Sequence, residues 1–181
     1  MNTTRRGVFL DRDGVLNAAV VRDGRPFPPD GPEHTVRLPR VEDACSRLAA
    51  AGLVLVVVTN QPDVARGACT LADVEAINSA VTRGLPITDV LVCPHDDTDD
   101  CRCRKPRPGM LLEAAERWGL DLWASVMVGD RWRDIEAGHR AGTRTIFVDH
   151  GYAEELPVAS DYVVSSLSEA ADLILAAGAA S

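Results

Sequence analysis

The sequence lacks any run of apolar residues long enough to cross a lipid bilayer, which would need about 20 in succession. Its first residues, MNTTRRG, contain no hydrophobic core of the kind found in a secretory signal peptide. These absences argue against a membrane partner and favour a cytoplasmic protein. No internal repeat or linker divides the 181 residues, so we expect a single domain, 1–181. We also expect this domain to act as a monomer.

Positive charge is also in deficit. There are 19 lysine and arginine residues against 27 aspartate and glutamate residues, which gives a net charge of −8 at pH 7. The sequence has no basic stripe, and a nucleic-acid partner is therefore not expected. Any site for an anionic ligand has to be made positive locally, by a few side chains.

What the sequence does contain is a series of short β-branched runs that alternate with amphipathic segments. Apolar runs over 8–10, 53–58 and 125–128 are typical of buried parallel strands. Further strands are predicted over 89–92, 143–148 and 161–164, and helices over 41–51, 71–81, 108–118, 135–141 and 167–175. This alternation predicts an α/β fold, a three-layer Rossmann-like parallel sheet with helices on both faces and no separate cap domain.

Two carboxylates, Asp11 and Asp13, follow the first predicted strand. Two close carboxylates repel each other, so their place at the edge of a core is costly unless a cation or a shared proton relieves them. Mg²⁺ favours a few carboxylate oxygens together with a substrate phosphate. A solvated turn is the alternative for the pair taken alone. The predicted loop over 18–39, rich in proline and glycine, follows these acids and is a candidate to contact a ligand.

Three more polar clusters follow along the chain: Thr59 with Asn60, Arg104 with Lys105, and Asp130 with Asp134. Because the carboxyl ends of parallel strands meet at one edge of a sheet, we expect all four clusters to converge. Carboxylates, a hydroxyl and a lysine in one place suit phosphoryl transfer to an aspartate. Each cluster also has a simpler interpretation: a turn at a strand end, a surface lysine, a helix cap at Asp130 and a helix-surface acid at Asp134.

Three of the five cysteines lie close together with a histidine, in the pattern Cys93-x-His95-x5-Cys101-x-Cys103. Three thiolates and one imidazole make a full tetrahedral set, which predicts a structural zinc with no open coordination position. Such a zinc would pin a loop that leads directly into the Arg-Lys cluster. Free thiols are the alternative, and Cys69 is expected to be a packed thiol outside the pattern.

Four stretches, in the order FLDRDGVLN, VVVTNQ, RKPRPGM and VGDRWRDIEAG, resemble the motifs of the haloacid dehalogenase superfamily of aspartate-nucleophile phosphatases. The resemblance covers the chain from about residue 7 to residue 150. TNQPDVARG and CPHDDTDDCRCRKP further resemble a small zinc-containing branch. That branch contains the D-glycero-D-manno-heptose-1,7-bisphosphate phosphatases and the phosphatase domain of bifunctional histidinol-phosphate phosphatases.

The resemblance implies roles for the carboxylates. Asp11 would attack phosphorus and form an aspartyl-phosphate. Asp13 would protonate the leaving alcohol and then activate water, which needs a carboxyl whose protonation follows the reaction. Mg²⁺ would be held by Asp11, the main-chain carbonyl of Asp13 and Asp130, with Arg131 and Asp134 nearby, and would screen the nucleophile from the phosphate.

The resemblance also implies roles for the remaining polar residues. Thr59 and Asn60 would bind the oxygens of the transferring phosphoryl group. Lys105 would neutralise Asp11 and the phosphate as a compact charge, and Asp134 would orient Lys105. The candidates for contact with the substrate are Asn60, Gln61, Arg66 and Arg104, although simple surface arginines fit the last two equally well.

The resemblance thus implies a magnesium-dependent phosphomonoesterase with a structural zinc loop, and it defines the substrate less sharply. The leading substrate is heptose 1,7-bisphosphate, cleaved at C7, and histidinol phosphate or another small sugar phosphate are the alternatives. Relatives commonly carry Ser-Gly where this chain has Pro62-Asp63, and the stretch after Asn17 lacks the Gly-Tyr expected of many heptose enzymes. Both departures lie in loops that should meet the leaving group.

Two other classes of protein share part of this pattern. A nucleic-acid end phosphatase would use the same aspartate chemistry but would need a basic groove, and the net charge of −8 argues against it. A catalytically silent binding module with this fold would have lost Asp11, Asp13 or Lys105, and all three are present.

Overall fold

The computed structural model describes residues 5–157 and 159–178, so the ends of the expected domain lie outside the described residues. The strands are β1 (Gly7–Leu10), β2 (Val20–Arg22), β3 (Arg25–Phe27), β4 (Val54–Asn60), β5 (Asp89–Cys93), β6 (Val126–Gly129), β7 (Arg144–Val148) and β8 (Tyr162–Val164). The α-helices are α1 (Val41–Ala50), α2 (Leu71–Thr82), α3 (Gly109–Trp118), α4 (Trp132–Ala141) and α5 (Leu167–Gly178). None of the helices described here is long and apolar enough to cross a membrane.

One parallel sheet organises the fold. Across the described ranges it contains six strands, in the order β5, β4, β1, β6, β7, β8. β1 is central, and Leu10 is paired with Val57 of β4 and with Val128 of β6. Because these strands run in the same direction, the residues that follow them leave the sheet at one edge. The predicted parallel α/β fold is confirmed.

The side chains of β1 alternate between the two faces of the sheet, as its pleat requires. Val8 and Leu10 lie in a buried apolar cluster with residues of α1, α2 and α5. Phe9 lies in a second cluster, with residues of α3 and α4. Burial of one such side chain contributes about 1.5–3 kcal/mol. The two clusters therefore hold helices against both faces, which is the predicted three-layer arrangement.

The segment predicted as a loop over 18–39 contains a β-hairpin, so the prediction was wrong at β2 and β3. Asp23 and Gly24 join the strands with positive φ angles of 51° and 74°, the geometry of the tight type I′ turn that Asp-Gly favours. Strands of three residues are too short to show a convincing period-two alternation. The hairpin tip docks on the chain beyond β7, where the amide of Ala153 donates to Gly24 O at 2.8 Å.

Candidate active site

The four polar clusters meet in one cavity at the carboxyl edge of the sheet. The cavity has a volume of about 310 Å³, and its lining includes Asp11, Asp13, Thr59, Asn60, Lys105, Asp130 and Asp134. Three of the arginines discussed above, Arg66, Arg104 and Arg131, lie in the same wall, as does part of the β2–β3 hairpin. The convergence expected from the strand ends is therefore present.

Lys105 is the buried cation of this cavity, with 2% of its side chain exposed. Its ammonium group donates to Asp11 Oδ1 at 2.8 Å and to Val58 O at 2.7 Å, and it lies 2.6 Å from Asp134 Oδ1. Burial opposes the charge, but the ion pairs with Asp11 and Asp134 outweigh it and raise the pKa of Lys105. All three ammonium protons are engaged, so Lys105 is not a solvated surface lysine.

The structure contradicts the simpler interpretations of Asp134 as a helix-surface acid and of Asp130 as a helix cap. Asp134 is buried and paired with Lys105, so it is not a helix-surface acid. It also accepts a hydrogen bond from the amide of Arg131 at 3.0 Å, at the start of α4. Arg131 occupies the N-cap of α4. The interpretation of Asp130 as the helix cap is therefore wrong.

Asp130 is a buried carboxylate, and neither of its oxygens has a hydrogen-bond partner among the described residues. Burial, together with the charges of Asp11 and Asp134, raises its pKa well above the ordinary value. Burial also raises the pKa of Asp11 to about 6, although Lys105 opposes the shift. One oxygen from each of these three carboxylates lies within 4.8 Å of the others. A buried carboxylate without a donor, next to a second one, is an environment that a divalent cation satisfies.

Two glycines allow these acids to approach so closely. Gly14, with a φ of +86°, lies directly against Asp130, and a Cβ at this position would be 1.9 Å from Asp130 Oδ2. A Cβ at Gly129 would be 2.2 Å from the Cβ of Asp134. Both distances are far below van der Waals contact, so any side chain at either position would push the carboxylates out of place.

The carboxylate of Asp13 accepts four hydrogen bonds. Arg12 donates from Nε to Oδ1 at 3.2 Å and from Nη2 to Oδ2 at 2.8 Å. Asn17 donates to Oδ1 at 2.9 Å, and Gln61 donates to Oδ2 at 3.0 Å. Four donors match the four lone-pair positions of an ionised carboxylate. Asp13 is therefore held in a fixed orientation at the cavity wall, and Arg12 and Asn17 are site residues that the sequence analysis missed.

The polar residues at the end of β4 are tied to their neighbours. Thr59 is buried, and its hydroxyl accepts a hydrogen bond from Gln61 Nε2 at 2.8 Å. Asn60 uses both ends of its amide on the main chain of Lys105: Nδ2 donates to the carbonyl at 3.0 Å, and Oδ1 accepts from the amide at 3.1 Å. Asn60 thus fixes the backbone that carries Lys105, a contact that the sequence analysis did not predict.

The arginines at the mouth of the cavity are paired with acids of the cysteine-rich loop. Arg66 donates from Nε and Nη2 to the two oxygens of Asp96 at 2.9 Å and 2.8 Å. Arg104 Nε and Arg133 Nη1 both donate to Asp97 Oδ1 at 2.8 Å. Hydrogen bonds from Arg104 and Arg133 lower the pKa of Asp97 to about 2, against a partial burial that opposes the shift. Arg133 was missed, although its place in the first turn of α4 could have identified it.

The Cys/His residues come together as the sequence pattern predicts. Cys93 Sγ lies 3.6 Å from His95 Nδ1 and 3.7 Å from Cys101 Sγ. Cys103 Sγ lies 3.3 Å from His95 Nδ1, 3.3 Å from Cys93 Sγ and 3.4 Å from Cys101 Sγ. A tetrahedral zinc separates such ligands by about 3.5–3.8 Å, given bond lengths of about 2.0–2.3 Å. The cluster therefore has the donor set, and nearly the spacing, of a structural zinc site.

Comparison with known proteins gives a consistent result. Residues 102–170 match the model of a family described as HAD-hydrolase-like. The D-glycero-β-D-manno-heptose-1,7-bisphosphate 7-phosphatase of Bordetella bronchiseptica is 36% identical over 149 residues, which are 80% of this chain and 80% of that protein. The Escherichia coli K12 protein of the same name is 36% identical over 177 residues, 90% of each chain.

A solved structure agrees with these relatives. The crystal structure of D,D-heptose 1,7-bisphosphate phosphatase from B. bronchiseptica, complexed with magnesium and phosphate, matches this fold with a TM-score of 0.82 at 32% identity. The match covers 95% of this chain and 99% of that one. The similarity therefore extends over the whole sheet and the cavity at its edge.

Proposed function

We propose a substrate and a mechanism for this chain, which belongs to the haloacid dehalogenase-like hydrolases and, within them, to the family of the D-glycero-β-D-manno-heptose-1,7-bisphosphate 7-phosphatases. The chain hydrolyses heptose 1,7-bisphosphate at C7 through an aspartyl-phosphate. The observation that carries this proposal is that the buried residues Asp11, Lys105 and Asp130 meet in one cavity, and that Asp130 has no hydrogen-bond partner among the described residues.

The carboxylates of this cavity fit a magnesium ion. Asp11, Asp130 and the main-chain carbonyl of Asp13 would hold it, and Arg131 lies nearby. When bound, Mg²⁺ would screen the nucleophile from the phosphate and stabilise the charge that develops on the phosphoryl oxygens. Asp134 is already paired with Lys105, so its role is to keep that lysine charged and in position.

The chain's own residues account for two transfers. In the first, Asp11 attacks phosphorus, the bond to the leaving oxygen breaks, and Asp13 gives that oxygen a proton. In the second, Asp13 takes a proton from water while the water oxygen bonds to phosphorus and the bond to Asp11 breaks. This releases phosphate and restores Asp11. Lys105 and Thr59 stabilise the negative charge on the phosphoryl group in both steps.

The rim of the cavity supports a substrate with a second anionic group. Arg66, Arg104 and Arg133 lie at the mouth, where they are paired with the carboxylates of Asp63, Asp96 and Asp97. Partly exposed ion pairs contribute only about 0–1 kcal/mol, so an anionic group of the substrate can compete with these carboxylates for the guanidinium groups. Arg66 and Arg104 would then contact the end of the substrate that is not cleaved, and Gln61 would orient Asp13.

The test of this substrate is a comparison of kcat/KM across a small set of phosphates: both anomers of heptose 1,7-bisphosphate, heptose 7-phosphate, histidinol phosphate and hexose monophosphates. Heptose 7-phosphate is the matched control, because it keeps the scissile group and lacks the second phosphate. A charge-assisted contact of about 1.5–3 kcal/mol predicts that the bisphosphate exceeds this control by about 10- to 100-fold. A larger kcat/KM for histidinol phosphate would contradict the proposal.

We also propose that Cys93, His95, Cys101 and Cys103 hold one structural zinc. The loop between β5 and α3 has few apolar residues of its own, and Asp96 and Asp97 on it hold the rim arginines. A metal that fixes this loop would therefore also fix the rim. Because the site has four protein ligands, the zinc would have no open position for catalysis.

Purified protein is expected to contain about one zinc per chain. Replacing Cys101 with serine should remove most of the zinc and lower the melting temperature by about 5–10 °C, since metal binding in such sites is coupled to folding. The matched control is Cys69→Ser, because Cys69 lies outside the cluster. Elemental analysis and thermal melts, with and without a chelator, measure both effects. A fully active protein that contains no zinc would rule the site out.

Domain organisation, oligomeric state and location also follow from the proposed function. We propose one domain, because both apolar clusters are built on the same sheet. We propose that it acts as a monomer, because one chain already supplies the nucleophile, the acid–base carboxylate and the lysine that the proposed mechanism needs. A cytoplasmic location fits the free cysteines and the small phosphorylated substrate.

A further inference from the structure

A buried hydrogen-bond chain runs from the middle of α2 to the carboxylate of Asp13. Arg12 has no exposed side-chain surface. Its Nη1 donates to Asn78 Oδ1 at 2.7 Å, and its Nε and Nη2 donate to the two oxygens of Asp13 at 3.2 Å and 2.8 Å. The guanidinium group therefore lies between one amide oxygen and one carboxylate. Each of its three nitrogens has a partner.

Asn78 is the exception on the buried face of its helix. The other buried residues of α2 are Val74, Ile77 and Val81, all apolar. A polar side chain in such a place is costly unless it is hydrogen-bonded, and Arg12 supplies that bond. Conversely, without Asn78 one N–H of a fully buried guanidinium would lose its acceptor, which is unfavourable for a buried charged group. The two residues therefore require each other.

The donors around Asp13 fix the direction in which its carboxylate points. Arg12 holds both oxygens, and Asn17 and Gln61 each hold one. Without the Asn78 acceptor, the guanidinium group of Arg12 would be free to turn, and the carboxylate would lose its two-point contact. Attack by water needs a base held in line with that water, whereas departure of a leaving group that is a stable anion needs little help from Asp13. A loss of orientation should therefore slow the second transfer more than the first for such a substrate.

We infer that Asn78 is a positioning residue for the hydrolysis of the aspartyl-phosphate, acting through Arg12 on Asp13. The inference rests on the proposed function, because it takes Asp13 as the base. In that step Asp13 accepts one proton from water, the water oxygen forms a bond to phosphorus, and the bond between phosphorus and Asp11 breaks. Asn78 touches neither substrate nor water, and it keeps the base aimed at the water.

The experiment uses p-nitrophenyl phosphate, whose leaving group is a stable anion that needs little help from an acid. In Asn78→Leu, which keeps approximate volume and removes the acceptor, the first equivalent of p-nitrophenolate should appear at the wild-type rate. Later turnovers should be at least about tenfold slower, since a well-placed base contributes about 10²–10⁴-fold. Acid quenching of the same reaction should show aspartyl-phosphate accumulating.

Two further variants separate positioning from a general loss of structure. Asn78→Asp keeps an acceptor oxygen for Arg12 and should restore turnover to within about threefold of wild type. Thr82→Val is the matched control on the same helix, because within the described part of the chain the Thr82 hydroxyl bonds only to the main-chain oxygen of Asn78, at 2.8 Å. It should turn over as the wild type does. If Asn78→Leu does not fold, Asn78→Ala makes the same comparison, because it also removes the acceptor.

Three results would overturn the inference: unchanged turnover in the leucine variant, equal slowing of the first and later turnovers, or an Asn78→Asp enzyme as slow as Asn78→Leu. These results differ from a failure of the proposed function. If the wild-type enzyme forms no aspartyl-phosphate at all, the proposed mechanism is wrong, and the role of Asn78 falls with it. If the wild type forms it and Asn78→Leu changes nothing, only the positioning role is wrong.

Discussion

Replacement of Asp11 with asparagine is expected to abolish phosphate release, by at least about 10⁴-fold in kcat, while the protein stays folded. An amide cannot form the acyl phosphate, so the reaction loses its covalent route. The fold should survive because the amide oxygen can still accept the hydrogen bond from Lys105 Nζ, and Lys105 keeps its ion pair with Asp134. Released phosphate and the thermal melt of each protein measure the two effects.

Asp43→Asn is the matched control for this substitution. Asp43 is an exposed residue of α1 with surface ion pairs to Arg40 and Arg47, and exposed pairs contribute about 0–1 kcal/mol. The control should therefore keep wild-type activity and nearly wild-type stability. Phosphatase activity within tenfold of wild type in Asp11→Asn would remove Asp11 from the role of nucleophile.

Replacement of Lys105 with methionine is expected to inactivate the enzyme and to destabilise it by about 3–5 kcal/mol at pH 7, the usual result of removing one partner from a buried ion pair. The substitution leaves Asp11 and Asp134 buried without a cation between them, and Val58 O without its donor. Lys105 is the only lysine in the sequence, so the loss cannot be shared by a neighbouring one. Urea unfolding in magnesium-free buffer measures the destabilisation.

The deficit in Lys105→Met should shrink as the pH falls from 7 to 5. Burial already raises the pKa of Asp11 to about 6 against the opposing charge of Lys105. Loss of that charge moves the pKa further up. A carboxyl whose pKa is higher in the folded than in the unfolded state takes up a proton on folding, so the folded state gains as the pH is lowered through that pKa.

Arg117→Met is the matched control for the lysine substitution, because it also removes a paired cation. Arg117 is exposed and pairs with Asp89 and Glu113 at the surface. Its loss should cost no more than about 1 kcal/mol and should leave activity unchanged. A Lys105→Met protein that unfolds at the same urea concentration as the wild type would show that the ion pairs of Lys105 do not stabilise the fold.

The convergence of Asp11, Lys105 and Asp130 could be predicted from the sequence, for a physical reason. In a parallel sheet every strand presents its carboxyl end at the same edge, so only the position of each acid relative to its strand has to be recognised. The Cys/His cluster could be predicted equally well, because its four residues lie within eleven positions and the chain between them is short.

The surroundings of Arg12 could not be predicted in this way. An arginine between two aspartates suggests a solvated turn, yet Arg12 is fully buried. What makes this burial tolerable is Asn78, which lies 66 positions away and meets Arg12 only because α2 packs beside the loop after β1. The pairing of Arg133 with Asp97, across 36 positions, depends in the same way on the path of a loop. Sequence patterns show the spacing of residues that are close along the chain, and they do not show which distant residues will be in contact.

The two glycines at the floor of the cavity have a consequence for how this enzyme can diverge. At Gly14 and Gly129 the space that a methyl group would need is already filled by the acids opposite. A new specificity can therefore arise by exchange of residues at the rim, whereas the positions of the Asp130 and Asp134 carboxylates depend on glycine backbone at Gly14 and Gly129. Even one added carbon atom at Gly14 or Gly129 would displace the neighbouring carboxylate. We therefore expect these two positions to remain glycine while residues that contact the substrate change.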